Sequence, residues 1–310
     1  MASRERLLTT LSVTDSRPVS LRETISAYLN LTKPRIIVLL LLTTLGAMLA
    51  AEPGLPSLGL VVATLLGGAL SAAAANTLNC YLDRDIDRLM ERTRERRALP
   101  AGRLVPAQAL RFGLMLAALS FIELALLVNL LAAVLAQAAL WFYVFVYTGW
   151  LKRSTPSNIV IGGAAGAVPP LVGWAAVTGR IDLPALYLFA IVFFWTPPHF
   201  WALALLLKRE YGQARVPMLP VVRGDDETRR QILLYTLLLV ALTVIMVPFQ
   251  LVGALYLAAA LILGGLFLYY AVRLVREGTQ RAAARLFGYS IVYLALLFTA
   301  VVVDRQLLLS

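Results

Sequence analysis

The chain has 310 residues, 60% of them hydrophobic and 15% charged, with a formal net charge of +11 and a mean hydropathy of +0.79. Repeated runs of 18 or more almost uncharged residues exclude a soluble globular domain and describe a polytopic, all-α membrane protein. The lone cysteine, Cys80, excludes an internal disulfide framework and any zinc site of several cysteines, and basic excess in this setting reports topology, not nucleic-acid binding.

Residues 1–30 form a polar, basic tail with no apolar run before Ile36, so the first span is expected to serve as its own insertion signal. A single domain over 31–305 follows, with nine apolar segments at about 36–51, 57–80, 106–128, 131–150, 158–178, 184–206, 231–251, 254–272 and 286–303. Six Lys and Arg precede the first segment. The second loop with its flanks has eight, the fourth loop two, the sixth six and the eighth four, leaving Arg180 and Arg305 on the opposite face. This asymmetry predicts a cytoplasmic N-terminus and cytoplasmic even-numbered loops, as in a bacterial-type plasma (inner) membrane. The expected architecture is a bundle of nine transmembrane helices around a central cavity, without a clear internal sequence repeat.

The second loop opens with "NCYLDRDIDRLMERTRERRALPAG" (79–102), which crowds five acids and six arginines between two apolar segments. If the second helix continues past Tyr81, Asn79, Asp83 and Asp87 recur at i, i+4 and i+8 along one stripe, while Asp85 points the other way. Stacked carboxylates at a solvated helix end repel one another. A divalent cation removes that cost, and Mg²⁺ prefers one or two carboxylates together with substrate phosphates. The alternative is a solvated loop in which the acids pair with Arg84, Arg88 and Arg92. The asparagine-aspartate register and the arginines that follow, suited to phosphate, favour the metal.

Farther along, "WFYVFVY" (141–147) and "FFW" (193–195) offer aromatic faces, although such residues also serve as packing and interfacial belts. Gly162, Gly163 and Gly166 with Pro169-Pro170 either open the fifth helix or let helices approach closely. Pro197-Pro198 is expected to kink the sixth. His199 is the only histidine in the sequence, and reads either as a hydrogen-bonded packing residue or as a functional one. Cys80 is expected to pack as a small apolar residue.

Asn79-x3-Asp83-x3-Asp87 at the end of a second transmembrane helix resembles the first aspartate motif of UbiA-type intramembrane prenyltransferases. Five segments resemble, more narrowly, the protohaem IX farnesyltransferases, or haem O synthases: "LTKPRIIVLLLLTTLGAM" (31–48), "DRDIDRLMERT" (83–93), "YTGWLKRSTPSNIVIGGAAGAVPPLVGW" (147–174), "FFWTPPHFWALALLLKREY" (193–211) and "VPMLPVV" (216–222). The resemblance runs over about residues 28–305. It implies transfer of a farnesyl group from farnesyl diphosphate to a vinyl carbon of haem b, with water completing a hydroxyethylfarnesyl side chain.

On that resemblance Asn79, Asp83 and Asp87 would hold Mg²⁺ on the diphosphate. Lys33, Arg35, Arg92, Lys152 and Arg153, with Arg96 or Arg97 from "RTRERRALP", would bind its oxygens, Lys33 and Arg35 reading equally as lipid-headgroup anchors. Tyr147 would wall the allylic cation, and His199 would ligate haem iron. Where many members of the superfamily carry a second aspartate motif in the sixth loop, this chain has "KREY", with Glu210 as the candidate for a second metal. Implied partners are the bilayer and haem A synthase or oxidase assembly proteins. Two alternatives stand beside this reading. One is a prenyltransferase for an aromatic quinone precursor. The other is a secondary transporter, disfavoured because charge gathers at one face and Glu123 is almost alone near the midplane.

Overall fold

The computed structural model describes residues 20–247 and 252–309. Among them nine helices are long and apolar enough to cross a membrane: Pro34–Ala51, Leu58–Leu82, Pro106–Leu127, Leu130–Ser154, Asn158–Thr178, Leu183–Leu206, Gly224–Ile245, Ala254–Glu277 and Gln280–Leu308. These are spans one to nine below. The protein is an integral, polytopic, all-helical membrane protein, as its hydropathy predicts.

Local chemistry sets the span ends. Ser57 Oγ accepts from Leu60 N (3.3 Å) and Asn129 Oδ1 from Ala132 N (2.8 Å), capping spans two and four. Pro34 and Pro106 stand in the first turns of spans one and three, where a missing N–H costs nothing. Spans seven and nine start about a turn or more before their apolar runs. In span seven the extension carries Asp225, Asp226 and Glu227 in its first turn, where acids suit the positive helix end.

Leu21–Thr32 is an amphipathic helix closed by a capping box in which Ser20 Oγ accepts from Glu23 N and Glu23 accepts from Ser20 N. It buries Ala27 and Leu31 against Cys80, Ala98, Leu99 and Ala109, so Cys80 packs as expected.

The helices pack largely in chain order, and span nine returns to span one to close a ring; contacts between spans one and five and between six and nine cross it. Close approach depends on small residues. A β-carbon on Gly173 would lie 2.2 Å from the Thr44 backbone oxygen, so spans five and one meet backbone to side-chain-free backbone. Span five breaks at Val168 ahead of Pro169, in line with the first of the two readings of its glycines and prolines. Span six, in contrast, runs as one helix through Pro197 and Pro198. Span four changes register: after the α-helical Leu130–Trp141 it becomes a π-helix over Phe142–Leu151.

Candidate active site

The basic end of span two carries the predicted stripe. Helical hydrogen bonding continues across the junction at Asp83, with Asp83 N donating to Asn79 O (2.9 Å) and Asp87 N to Asp83 O (2.8 Å). Asn79, Asp83 and Asp87 therefore share one face, and they are 2%, 0% and 1% exposed. Their burial corrects the expectation of a solvated helix end: Lys33 at the head of span one, Arg97 of the second loop, and Thr148 and Lys152 of span four close over them. Asp85 projects outward, its side chain 61% exposed, where Arg153 grips it bidentately at 2.7 and 2.8 Å. That clamp holds the Asp85 carboxyl well below its ordinary value, at about 2.

Each buried acid meets a cation from a different segment. Asp83 pairs with Lys152 at the end of span four, and Asp87 with Arg97 of the second loop. Burial raises the Asp87 carboxyl above the usual carboxylate range despite the Arg97 guanidinium. Burial works against the charged Arg97 as well, but Asp87 outweighs it and the guanidinium is held more firmly protonated. Asn79 is the hub: its Nδ2 donates to Asp83 Oδ2 (2.9 Å) and Thr148 Oγ1 (3.0 Å), and its Oδ1 accepts from Lys33 Nζ (2.7 Å). Lys33, in a left-handed conformation between the amphipathic helix and span one, is buried enough that its ammonium pKa falls below the ordinary lysine value.

Two carboxylate oxygens are buried here without a hydrogen-bond partner, Asp83 Oδ1 and Glu210 Oε2. Each lies 3.9 Å from a guanidinium nitrogen, of Arg153 and of Arg92 respectively, too far to hydrogen-bond. Buried polar atoms are rarely left so. Their spare lone pairs fit a hard divalent cation, whereas no group of three or more His, Cys, Asp or Glu among the described residues could hold a metal by itself. A cation here would need Asn79 and oxygens from a bound anion to complete its shell.

The π-helix supplies the aromatic side of the site. Lys152 N donates to Tyr147 O, five residues back, so the wider turn presents Tyr147 and Lys152 together and carries Thr148 to Asn79. Tyr147 stacks on Tyr143 (centroids 5.2 Å, 28°) and lies within electrostatic range of Asp83. Tyr211, within range of Tyr147, Lys152, Arg92 and Arg97, adds a third ring, its hydroxyl pKa pushed up by burial.

Of the residues singled out from sequence, the structure gathers Lys33, Asn79, Asp83, Asp87, Tyr147, Lys152 and Arg153 at one end of the bundle, and joins Arg92 to Glu210 beside them. Arg97 rather than Arg96 reaches the stripe; Arg96 is exposed and its carbonyl accepts from Arg103. Arg35 is exposed at the head of span one. His199 lies in the seam between spans six and nine, sandwiched between Trp195 (4.3 Å) and Phe287 (4.6 Å), with Nδ1 2.7 Å from Ser290 Oγ. Ser290 Oγ already donates to Phe287 O (2.6 Å), so it accepts from His199 Nδ1–H, which leaves Nε2 as the unprotonated nitrogen. Tyr143 lies in the aromatic run 141–147 noted from sequence, whereas Thr148 and Tyr211 were not legible as site residues; a polar Thr148 directly following Tyr147 was the one available signal. A cleft of about 440 Å³ along Leu205, Lys208, Arg209, Gly212, Val221 and Asp225 opens beside this end, not over the stripe.

Residues 40–299 match the model of the UbiA prenyltransferase family. The chain is 57% identical over 279 residues to a protoheme IX farnesyltransferase of Symbiobacterium thermophilum, covering 89% of this chain and 93% of that one. It is 52% identical to one of Gloeobacter violaceus, covering 97% and 99%. A Roseiflexus sp. relative of the same name is 55% identical over 90% of this chain, which spans about half of that longer protein (52%). Among solved structures, a digeranylgeranylglyceryl phosphate synthase superposes with a TM-score of 0.75 at 20% identity, covering 92% of this chain and 99% of that one. A UbiA homolog from Archaeoglobus fulgidus bound to DMAPP and Mg²⁺ gives 0.67 at 18% identity, covering 88% and 99%. These two likenesses bear on the fold. With five-sixths of its length inside the family match and relatives above 50% identity along nearly their whole chains, the protein belongs to the UbiA prenyltransferase family.

Proposed function

We propose that this protein transfers a farnesyl group from farnesyl diphosphate to a vinyl carbon of haem b, forming haem O. The observation that carries the diphosphate half is the buried Asn79-Asp83-Asp87 stripe with its orphan carboxylate oxygen, faced by cations from three separate segments. The names of relatives at 52 to 57% identity support haem as the acceptor.

A vinyl group is a weak nucleophile, so the prenyl C1 must become strongly electrophilic, which requires a stabilised leaving group. Asn79, Asp83 and Asp87 would hold Mg²⁺, with Glu210 the candidate for a second ion; when bound, the metal neutralises charge developing on the departing diphosphate. Lys152 and Arg97, now paired with the acids, and Lys33 and Arg153 beside them would grip the diphosphate oxygens. Arg92, near Glu210, is placed for the same task, while exposed Arg35 suits a lipid headgroup. Tyr147 and Tyr143 would line the cation's apolar side and exclude water. His199 Nε2 would ligate haem iron from the seam of spans six and nine. The basic end would face the cytoplasm of a bacterial-type plasma membrane, and both amphiphilic substrates would enter from the bilayer.

The test uses membranes containing the full chain, supplied with Mg²⁺, farnesyl diphosphate, haem b and 4-hydroxybenzoate. The expected result is a more hydrophobic haem, lost with a chelator and restored by Mg²⁺. Prenylated benzoate without haem product would move the reading to the quinone-precursor enzymes, and no product from either acceptor would favour the transporter. A reporter fused after Ser310 should read outside the cytoplasm and one near Arg223 inside; the reverse would overturn the orientation. His199→Ala should alter the spectrum of added haem and leave farnesyl diphosphate binding intact, and an unchanged spectrum would return His199 to packing.

A further inference from the structure

Span five presents two adjacent glycines to two different neighbours. A β-carbon on Gly163 would lie 2.9 Å from Thr196 Cγ2, a contact between spans five and six. One on Gly162 would lie 2.2 Å from Tyr147 Cδ2 and 2.9 Å from Cγ, atoms at the root of the ring rather than its far end. The ring of Tyr147 therefore rests against the Gly162 backbone. On another side Tyr143 stacks on it, and the π-turn bond from Lys152 N to Tyr147 O fixes the backbone beneath. Any side chain at 162 would have to push the ring off this seat, and Tyr147 has little freedom to yield without disturbing Lys152 and Thr148.

We infer that Gly162 is a positioning residue for prenyl transfer: its missing side chain seats Tyr147 as the aromatic wall beside Asp83 and Lys152 and so decides whether the allylic cation meets the acceptor or water. The inference rests on the prenyl-transfer reading above. In that reaction the C1–O bond of farnesyl diphosphate breaks and its electron pair leaves with the diphosphate. The C1 cation then accepts a pair from the acceptor's vinyl carbon, and the resulting haem cation adds water and loses a proton. Alternatively the C1 cation takes its pair from water, which loses a proton and gives free farnesol. A ring moved off Gly162 opens the second route. Gly163, also crowded below 3.0 Å but less tightly and against Thr196, is the control for packing alone.

The experiment measures free farnesol per haem product formed by the full-length protein in membranes, for the parent, Gly162→Ala, Gly163→Ala, Tyr147→Ala and the Gly162→Ala/Tyr147→Ala pair. Gly162→Ala is expected to raise the ratio by about fivefold or more, whereas Gly163→Ala lowers the melting temperature and leaves the ratio within about twofold of the parent. Tyr147→Ala should also raise the ratio, and adding Gly162→Ala to it should change nothing further, because the two act as one unit. If Gly162→Ala alone does not fold, the pair should fold, since the ring it collides with is gone. A parent-like ratio in Gly162→Ala, an equal rise in Gly163→Ala, independent effects in the pair, or a pair that also fails to fold would each overturn the role of Gly162 while transfer by the parent stands. A parent that makes neither product would overturn prenyl transfer itself and this inference with it.

Discussion

Asp83 and Asp304 lie at opposite ends of the bundle, 0% and 3% exposed, and they are held in opposite ways. Asp304 of span nine accepts from the backbone N–H groups of Gly253 and Tyr256 (3.0 Å to Tyr256) and so caps the first turn of span eight. Its partners are fixed main-chain donors that no ligand can replace. Asp83 has only side-chain partners, Asn79 and Lys152, and one oxygen with no hydrogen bond at all. Burial therefore does not mark function by itself. What separates the two is spare acceptor capacity combined with partners able to swing away, and a bound metal-diphosphate pair would use both.

The largest effect should come from breaking the Asp83 side. Asp83→Asn should cut transfer at least about 100-fold. Because Lys152 would be left buried without its counter-charge, it should also lower the unfolding free energy by about 3 kcal/mol. Adding Lys152→Met should recover most of that stability in a thermal melt and none of the activity. Recovery of both would show that the acid is only a charge partner for Lys152.

Asp304→Ala sharpens the other side of the comparison. Two main-chain donors of span eight lose their acceptor, which should cost about 2 kcal/mol in denaturation while turnover per folded molecule stays within about twofold of the parent. A selective loss of turnover with unchanged stability would move Asp304 into the reaction. The smallest effect belongs to Asp85, whose exposed pairing with Arg153 should be worth less than about 1 kcal/mol. Asp85→Asn should keep activity within about threefold. Equal losses at positions 83, 85 and 87 would contradict the one-face stripe.

The spans were legible because their lengths and hydropathy leave the backbone no other way to satisfy its hydrogen bonds in lipid. The stripe was legible for a similar reason: a four-residue interval fixes a shared helical face wherever the helix continues. Burial of the stripe was not, since it depends on Lys33, Thr148 and Arg97 arriving from elements distant in sequence or across an irregular loop. Arg97 prevails over Arg96 through the turn that bonds Arg97 N to Thr93 O, and no local pattern distinguishes the two arginines in "RERR". The π-helix was equally hidden, because "FYVFVYTGWL" is as apolar at five-residue as at four-residue intervals. The amphipathic helix before span one did announce itself, in the Ser20-x-x-Glu23 capping box, within a segment read only as tail. The Ser290 partner of His199 lies 91 residues away and only the packing of spans six and nine reveals it.

On the proposed reading Asn79, Asp83 and Asp87 hold a divalent cation shared with a prenyl diphosphate. Mn²⁺ in place of Mg²⁺ makes this directly measurable, by electron paramagnetic resonance of the full chain with an unreactive farnesyl thiodiphosphate. The parent should bind Mn²⁺ and show phosphorus hyperfine coupling once the analogue is added, and Asp83→Asn/Asp87→Asn should lose both signals while still folding when Lys152→Met and Arg97→Met relieve the unpaired charges. Undiminished Mn²⁺ binding with the same phosphorus coupling in that variant would contradict the account.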